Sequence, residues 1–404
     1  MGYGGSMETI ERRVAREARV MTKQQVMLKA INGEITWIQA ADILGVTARH
    51  MRRMRKAVEH EGFGELIDGR GTRAARRRRI PMEVVRELCR LKREVYPDFS
   101  LRHFYEKATE QHGLRLSYNW SRLVLQEAGI VEKAGGRGKY HRKRERRPMV
   151  GMLVHLDASM HEWIAGLPMW DLVVALDDAD GRILHARLVE QEGVASSLEA
   201  LEAVLRRYGR FCELYTDRAS HFCRTAKAGE PPAEEQFGQV ARALHVLGIH
   251  HIRARSPQAR GRSERAFGTI QGRLPQELRL NGITTYEEAN RFLQEVFVPD
   301  FNRRFTVAPA QPPSAFTPVP KGMDLSLLLS IKHDRRVRND NTVIFRNLIL
   351  QLSSTRSRLH FVRCPVTVHE FSNRTLGVSY EGQLLGRYDS NGGPLPTQPK
   401  RKAA

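Results

Sequence analysis

At residue 149 the hydrophobic pattern changes, and this switch limits the possible folds more than any other feature. Before it, apolar residues recur at helical spacing. After it come three apolar runs of strand length, Val150–Leu156, Trp170–Leu176 and Ile183–Val189, the last two joined by the turn sequence Asp178-Ala179-Asp180-Gly181. An amphipathic helix follows over Ser196–Tyr208, using Leu198, Leu201, Val204 and Leu205. The pattern predicts a fourth strand at Cys212–Thr216, a helix at Gln236–Leu247, a short strand at Ile249–Ala254 and a long helix from Glu264 to Leu280. The order β-β-β-α-β-α-β-α describes one mixed α/β domain over 149–310.

Three acids stand in distinctive settings within it. Asp157 follows the first apolar run, Asp217 follows Cys212-Glu213-Leu214-Tyr215-Thr216, and Glu264 closes Ser256-Pro257-Gln258-Ala259-Arg260-Gly261-Arg262-Ser263. Carboxylates ending neighbouring strands, with a third on a helix packed across them, are hard oxygen donors of the kind Mg²⁺ requires. Taken singly, each has a plain structural role: a strand-end residue, an Asx-turn and an exposed helix carboxylate. Asp171, Asp177, Asp178 and Asp180 sit at a strand start or in the hairpin turn and read as structural.

These segments resemble the DDE catalytic core of insertion-sequence transposases and retroviral integrases. The most specific pieces are Ser256-Pro257-Gln258 with Gly261 and Glu264, and Tyr215-Thr216-Asp217-Arg218-Ala219-Ser220-His221-Phe222. The resemblance implies an RNase H-like fold whose first and fourth strands are neighbours, bringing Asp157 and Asp217 together. It implies that Asp157, Asp217 and Glu264 are catalytic and bind two Mg²⁺ or Mn²⁺ ions. The implied activity is cleavage at transposon ends and joining of the 3′-hydroxyl to target DNA, by a dimer or tetramer that pairs two ends. The sequence departs from the pattern in two places. The Asp217–Glu264 interval is long, with Arg224–Glu235 and its Pro231-Pro232 pair reading as an insertion. Gln271 also stands where such proteins often carry a Lys or Arg two turns after the glutamate.

The remainder of the 404-residue chain suits a DNA partner. A formal charge of +21, with the basic residues spread over several segments, favours a long polyanion over a small acidic substrate. Residues 21–66 read as a helix-turn-helix. Ile38, Ala41 and Leu44 face inward on its second helix, Gly45-Val46 makes the turn, and Thr47 caps the third helix. On that third helix Met51, Met54 and Val58 share one face, leaving Arg49, His50, Arg52, Arg53 and Lys56 to meet DNA. A second helical DNA-binding domain is predicted over 80–132, its helices started by Ser100 and Ser117 and stopped by Gly113 and Gly129. Asn119 and Arg122, with Tyr118 and Ser121, are the candidate contacts there, and Trp120, Leu123 and Val124 the core.

The stretch 133–148 holds Lys139, Arg142, Lys143, Arg146 and Arg147 and reads as a flexible basic linker that neutralises phosphates without reading sequence. Arg262 and Arg265 beside Glu264 are further candidate DNA contacts. After an exit linker marked by Pro309, Pro312, Pro313, Pro318 and Pro320, alternating strands over 325–390 suggest a small SH3-like β-barrel. The leader 1–20, with Met7 and Met21 as alternative starts, and the tail 391–404 read as disordered.

No apolar run is long enough for a membrane span. The cysteines Cys89, Cys212, Cys223 and Cys364 lack zinc spacing and read as reduced, buried residues of a cytoplasmic, nucleoid-associated bacterial protein. Two other readings stay open: a DNA-binding regulator or inactive transposase remnant, and an RNase H-type nuclease without joining activity.

Overall fold

The computed structural model describes residues 22–63, 80–132, 145–217, 238–254, 261–355 and 358–396. The leader, Lys139, Arg142 and Lys143 of the linker, the Arg224–Glu235 insertion, His221, Cys223, the Ser256-Pro257-Gln258 motif with Arg260, and most of the tail lie outside them. The chain divides into two bodies, one ending at Glu87 and the other beginning at Leu88.

In the first body, α1 (22–31), α2 (Trp37–Ile43) and α3 (Ala48–Glu61) enclose a small core of Val26, Met27, Ala30, Ala40, Ala41, Met51 and Val58. Thr36 and Gln39 form a reciprocal capping box at the start of α2. The Thr47 hydroxyl accepts the His50 amide at 3.3 Å. Gly45, at φ +64°, takes the left-handed turn between α2 and α3. Ile38 departs from expectation: it is 70% exposed, and Ala40 and Ala41 form the inner face of α2 instead.

The second body opens with the end of α4 (Met82–Arg90), a π-helical turn (Leu91–Val95), α5 (Leu101–Glu110) and α6 (Tyr118–Glu127) around Leu88, Leu91, Tyr96, Phe99, Phe104 and Leu125. Buried Lys92 satisfies the carbonyls of Tyr96, Pro97 and Phe99 that the helix end leaves open. Ser100 and Ser117 cap α5 and α6 as expected. Leu123 is 56% exposed and Ser121 buried, the reverse of their expected placement.

The central sheet has strands β1 (Leu153–His161), β2 (Trp170–Asp177), β3 (Ile183–Val189), β4 (Glu213–Thr216) and β5 (His250–Arg253), in the order β3-β2-β1-β4-β5. β1 pairs antiparallel with β2 and parallel with β4. Side chains alternate between faces. Val154, Leu156, Val173 and Ala175 pack on α7 (Val194–Tyr208) and α8 (Gln239–Leu247). Leu172, Val174 and Leu176 pack on the opposite layer: α9 (Gly261–Gln271), α10 (Leu274–Leu280), α11 (Tyr286–Phe292), a π turn (Leu293–Phe297) and α12 (Val298–Phe305). The single long helix expected from Glu264 to Leu280 is thus two. It breaks at Gly272-Arg273, where Pro275 enters the first turn of α10 and has no amide to continue α9.

Helix-borne amides occupy the β3 edge. Asn302 accepts from the Ile183 amide at 2.8 Å and donates to its carbonyl at 2.9 Å. Asn290 does the same for Leu188. Gln294 donates to the Ala186 carbonyl. These side chains stand where a neighbouring strand would.

The α4–α6 module does not stand apart from this domain. Glu277 on α10 accepts from His103 Nε2 at 2.7 Å and Lys107 Nζ at 2.8 Å. Glu106 receives Arg273 at 2.8 Å and Arg304 at 3.3 Å, and Arg304 also pairs with Glu110. Leu280 of α10 joins the module's apolar core.

After α13 (Leu325–Leu328) come β6 (Ile331–Arg336), β7 (Thr342–Phe345), β8 (Leu348–Gln351), β9 (Pro365–Glu370), β10 (Leu376–Tyr380), β11 (Gln383–Tyr388) and β12 (Pro394–Leu395). The expected closed barrel is corrected. Among the described residues there is an open five-stranded sheet, β12-β11-β10-β9-β6, and a separate hairpin β7-β8. The hairpin's Val343, Phe345 and Leu350 share a core with the sheet, but its four-residue strands make no ladder with it. The sheet docks on the central domain through Gln239–Lys332 and Arg242–Ser330 bonds.

Burial lowers the imidazole pKa of His185, His251 and His369 from 6.5 to about 4, and neighbouring Arg187, Arg253 and Lys332 respectively push the same way. Each stays neutral in the folded chain while the unfolded chain takes a proton. Stability is therefore complete above 6.5 and is lost as pH falls towards about 4, by several kcal/mol in sum on the order-of-magnitude scale of such shifts. Denaturant unfolding at about pH 7 and about pH 5 should show a clear drop at the lower value. Equal stabilities would contradict neutral burial of these rings.

Candidate active site

Asp157 sits in the middle of β1, four residues short of its end, rather than at a strand terminus. The β1–β2 ladder continues past it to His161↔Trp170. The parallel register of β1 with β4 runs Leu153↔Glu213, Val154↔Leu214, His155↔Tyr215. The ladder stops there, where the His155 and Tyr215 ring centroids are 5.1 Å apart; β4 ends at Thr216 and Asp217 follows it directly. Asp157 is 8% exposed and its Oδ1 accepts the Ala158 amide at 3.0 Å. Asp217 is half-buried.

Helix α9 covers that face. His155, Asp157, Val174, Leu176, Ser263, Ala266, Phe267 and Ile270 line one small cavity beneath it. The residue facing Asp157 there is Ser263; Glu264, the next residue, is exposed. Among the described residues no three His, Cys, Asp or Glu side chains converge closely enough to hold a metal. The two aspartates fit a divalent cation in donor type, and the Glu264 side chain is exposed.

The hairpin acids are structural, as their turn positions suggest. Asp177 accepts the amides of Gly151 and Ala179. Asp180 accepts the Arg182 amide. Asp178, 1% exposed, binds His155 Nε2 at 2.8 Å and the Arg147 amide at 2.8 Å. Burial would raise its carboxyl, but the His155 bond, the Arg147 amide and the charge of Arg262 more than offset this and hold it below the ordinary carboxylate range.

Three arginines expected to reach phosphates bond within the chain, Arg262 largely buried and Arg146 and Arg147 at the surface. Arg262 is 12% exposed and gives Nη1 to both the carbonyl and the carboxylate of Asp178. Arg146 bonds the Ala179 carbonyl and Arg147 pairs with Glu213 at 2.6 Å, so this end of the linker is anchored to the sheet. Arg265 remains exposed on α9. Arg49, His50, Arg52 and Arg53 are exposed on α3, and Asn119 and Arg122 on α6. Cys212 is exposed, against expectation, whereas Cys364 is buried.

Gln271, noted as a departure, donates to Ser159 Oγ at 2.8 Å. Neither Ser159 nor His155 was singled out from sequence. A signal existed: polar residues at 155, 157 and 159 keep strand period in an otherwise apolar run, which marks one face of β1. Among the described residues no helix is long and apolar enough to cross a membrane.

The chain is 31% identical over 383 residues to y4bF of Sinorhizobium fredii, described as a transposase, spanning 92% of this chain and 81% of that protein. It is 28% identical over 378 residues to the transposase for insertion sequence IS1202 of Streptococcus pneumoniae, spanning 85% and 80%. Among solved structures, a chain of a simian T-cell lymphotropic virus intasome bound to the PP2A regulatory subunit B56 gamma covers 74% of this chain and 97% of its own, at 14% identity and a TM-score of 0.34. No protein-family model matches.

Proposed function

The chain belongs to the insertion-sequence transposases, and from that premise we propose that it cuts phosphodiesters at transposon ends and joins the freed 3′-hydroxyls to target DNA, with an RNase H-like central domain as the reaction centre. What supports this reading is the parallel pairing of β1, which carries Asp157, with β4, which ends one residue before Asp217, together with the packing of α9, which bears Glu264, over Asp157.

Asp157 and Asp217 would hold Mg²⁺ or Mn²⁺, two ions in all, with Glu264 reaching in by side-chain rotation to complete the set. Such ions supply activation of water and charge stabilisation at the leaving oxygen. In the first step a water oxygen attacks the phosphorus, and the 3′-oxygen leaves and takes a proton. In the second, that 3′-hydroxyl oxygen attacks the phosphorus of a target phosphodiester, and the target strand's own 3′-oxygen leaves and takes a proton as the attacking hydroxyl gives one up. One P–O bond forms for each broken, so no nucleotide cofactor and no covalent protein intermediate is needed. Arg265, exposed one residue after Glu264, is read as a contact to DNA phosphate.

End recognition falls to α3, whose Arg49, His50, Arg52 and Arg53 lie exposed above the Met51–Val58 core, in the manner of a major-groove helix. Asn119 and Arg122 of α6 extend the contact. The linker residues Lys139, Arg142 and Lys143 neutralise backbone charge. A dimer or tetramer pairing two ends, in the bacterial cytoplasm, completes the reading.

The test is a joining assay with labelled transposon-end duplexes, a supercoiled target and the full chain. Joined product should form with Mg²⁺ and vanish with a chelator while end binding persists. Cutting without joining would favour the nuclease reading. Binding with no metal-dependent chemistry would favour the regulator.

A further inference from the structure

We propose that α9 is clamped at both ends, by the hairpin acid Asp178 at its start and by β1 at its far end, and that this clamp sets where Glu264 stands relative to Asp157. The inference rests on the metal-binding reading above and adds positioning roles for Arg262, Asp178, His155, Ser159 and Gln271. At the start of the helix, Arg262 Nη1 donates to the Asp178 carbonyl at 2.6 Å and lies 3.0 Å from its Oδ1. The same Oδ1 meets His155 Nε2 at 2.8 Å. At the far end, Gln271 Nε2 donates to Ser159 Oγ at 2.8 Å.

The two clasps are commensurate. Arg262 to Gln271 is nine helical steps, a rise of about 13.5 Å. His155 to Ser159 is four strand steps, about 13 Å. Helix and strand therefore run similar lengths, Gln271 bonding β1 directly and Arg262 reaching it only through Asp178, which binds His155, with Asp157 halfway along the strand. A one-residue slide of the helix would break both clasps together. Between them Phe267 and Ile270 fill the interface. Both clasps are shielded: Asp178 and His155 are buried, Arg262 and Gln271 largely so.

Glu264 stands two residues after the first clasp, on backbone that is already fixed. Its carboxylate then has only rotamers to search. Without the clamp, the first turn of α9 would have to be ordered when an ion binds, and affinity would fall. Gln271 accordingly substitutes for the usual basic residue at this position by trading a phosphate contact for a strut.

The test is Mn²⁺ titration of the full-length chain, reading free Mn²⁺ by electron paramagnetic resonance, with thermal melts alongside. Wild type should bind, and Asp157→Asn should not. Gln271→Met and Ser159→Ala should weaken binding roughly tenfold, the scale seen when partners of metal ligands are removed. Ser159→Thr, which keeps the hydroxyl, should retain wild-type affinity. Arg262→Lys, which keeps the charge but loses the forked geometry, should behave like Gln271→Met. Melts unchanged across Gln271→Met and Ser159→Ala separate positioning from unfolding. Wild-type affinity in those two variants, with Asp157→Asn inert, would overturn the clamp and spare the metal reading. Wild-type affinity in Asp157→Asn would overturn both.

Discussion

Asp157→Asn is expected to abolish strand cleavage and joining, with a loss of at least about a thousandfold, on the order of 4 kcal/mol in the barrier, while transposon-end binding stays near wild type. The substitution keeps the side chain's shape on a buried mid-strand position, so the sheet should fold unchanged. It removes the charge that would hold a cation beside Asp217. The exposed basic residues of α3 are untouched, so affinity for the ends should survive. Quenched-flow cleavage of labelled ends, with gel-shift binding in parallel, measures both. A variant that joins ends at the wild-type rate would remove Asp157 from the reaction centre.

The second large effect is expected at Glu277. This carboxylate is 12% exposed and receives both His103, itself 2% exposed, and Lys107. Burial would raise its pKa, but the bonds from His103 and Lys107 hold it below its ordinary value. Burial chiefly lowers the pKa of the His103 ring, whose Nε2 lies 2.7 Å from the Glu277 carboxylate. Glu277→Leu would strand an ammonium and a ring N–H at a packed interface. Breaking such a pair costs roughly 3 kcal/mol. The exposed Asp98–Arg279 bridge joins the same elements and provides the comparison. Its loss in Asp98→Asn should cost below about 1 kcal/mol. Denaturant unfolding of the two variants separates them, and equal costs would mean that apolar packing alone holds the α4–α6 module in place.

Much of the fold could be read directly. The β3 limits coincide with the apolar run, because a buried strand between a tight turn and a helix has little freedom at its ends. The Thr47, Ser100 and Ser117 caps were also legible, since capping is settled within four residues. What escaped depends on distant partners. The extension of β1 past Asp157 is decided by β2, and the exposure of Ile38 by small residues elsewhere on α2. The inward turn of Arg262 depends on a carboxylate 84 residues away. His103 and Glu277 are 174 residues apart and belong to no local pattern. For the site, sequence gave the acids and their strands but not that Ser263, rather than Glu264, faces Asp157.

The carboxamides along β3 have a consequence for assembly. An open sheet margin normally invites an identical margin from another copy, and long sheets can grow in that way. Here Asn290, Gln294 and Asn302 already satisfy main-chain groups along the margin. Copies of the chain would therefore not pair strand to strand along β3. Growth of a continuous ribbon from this side is closed off.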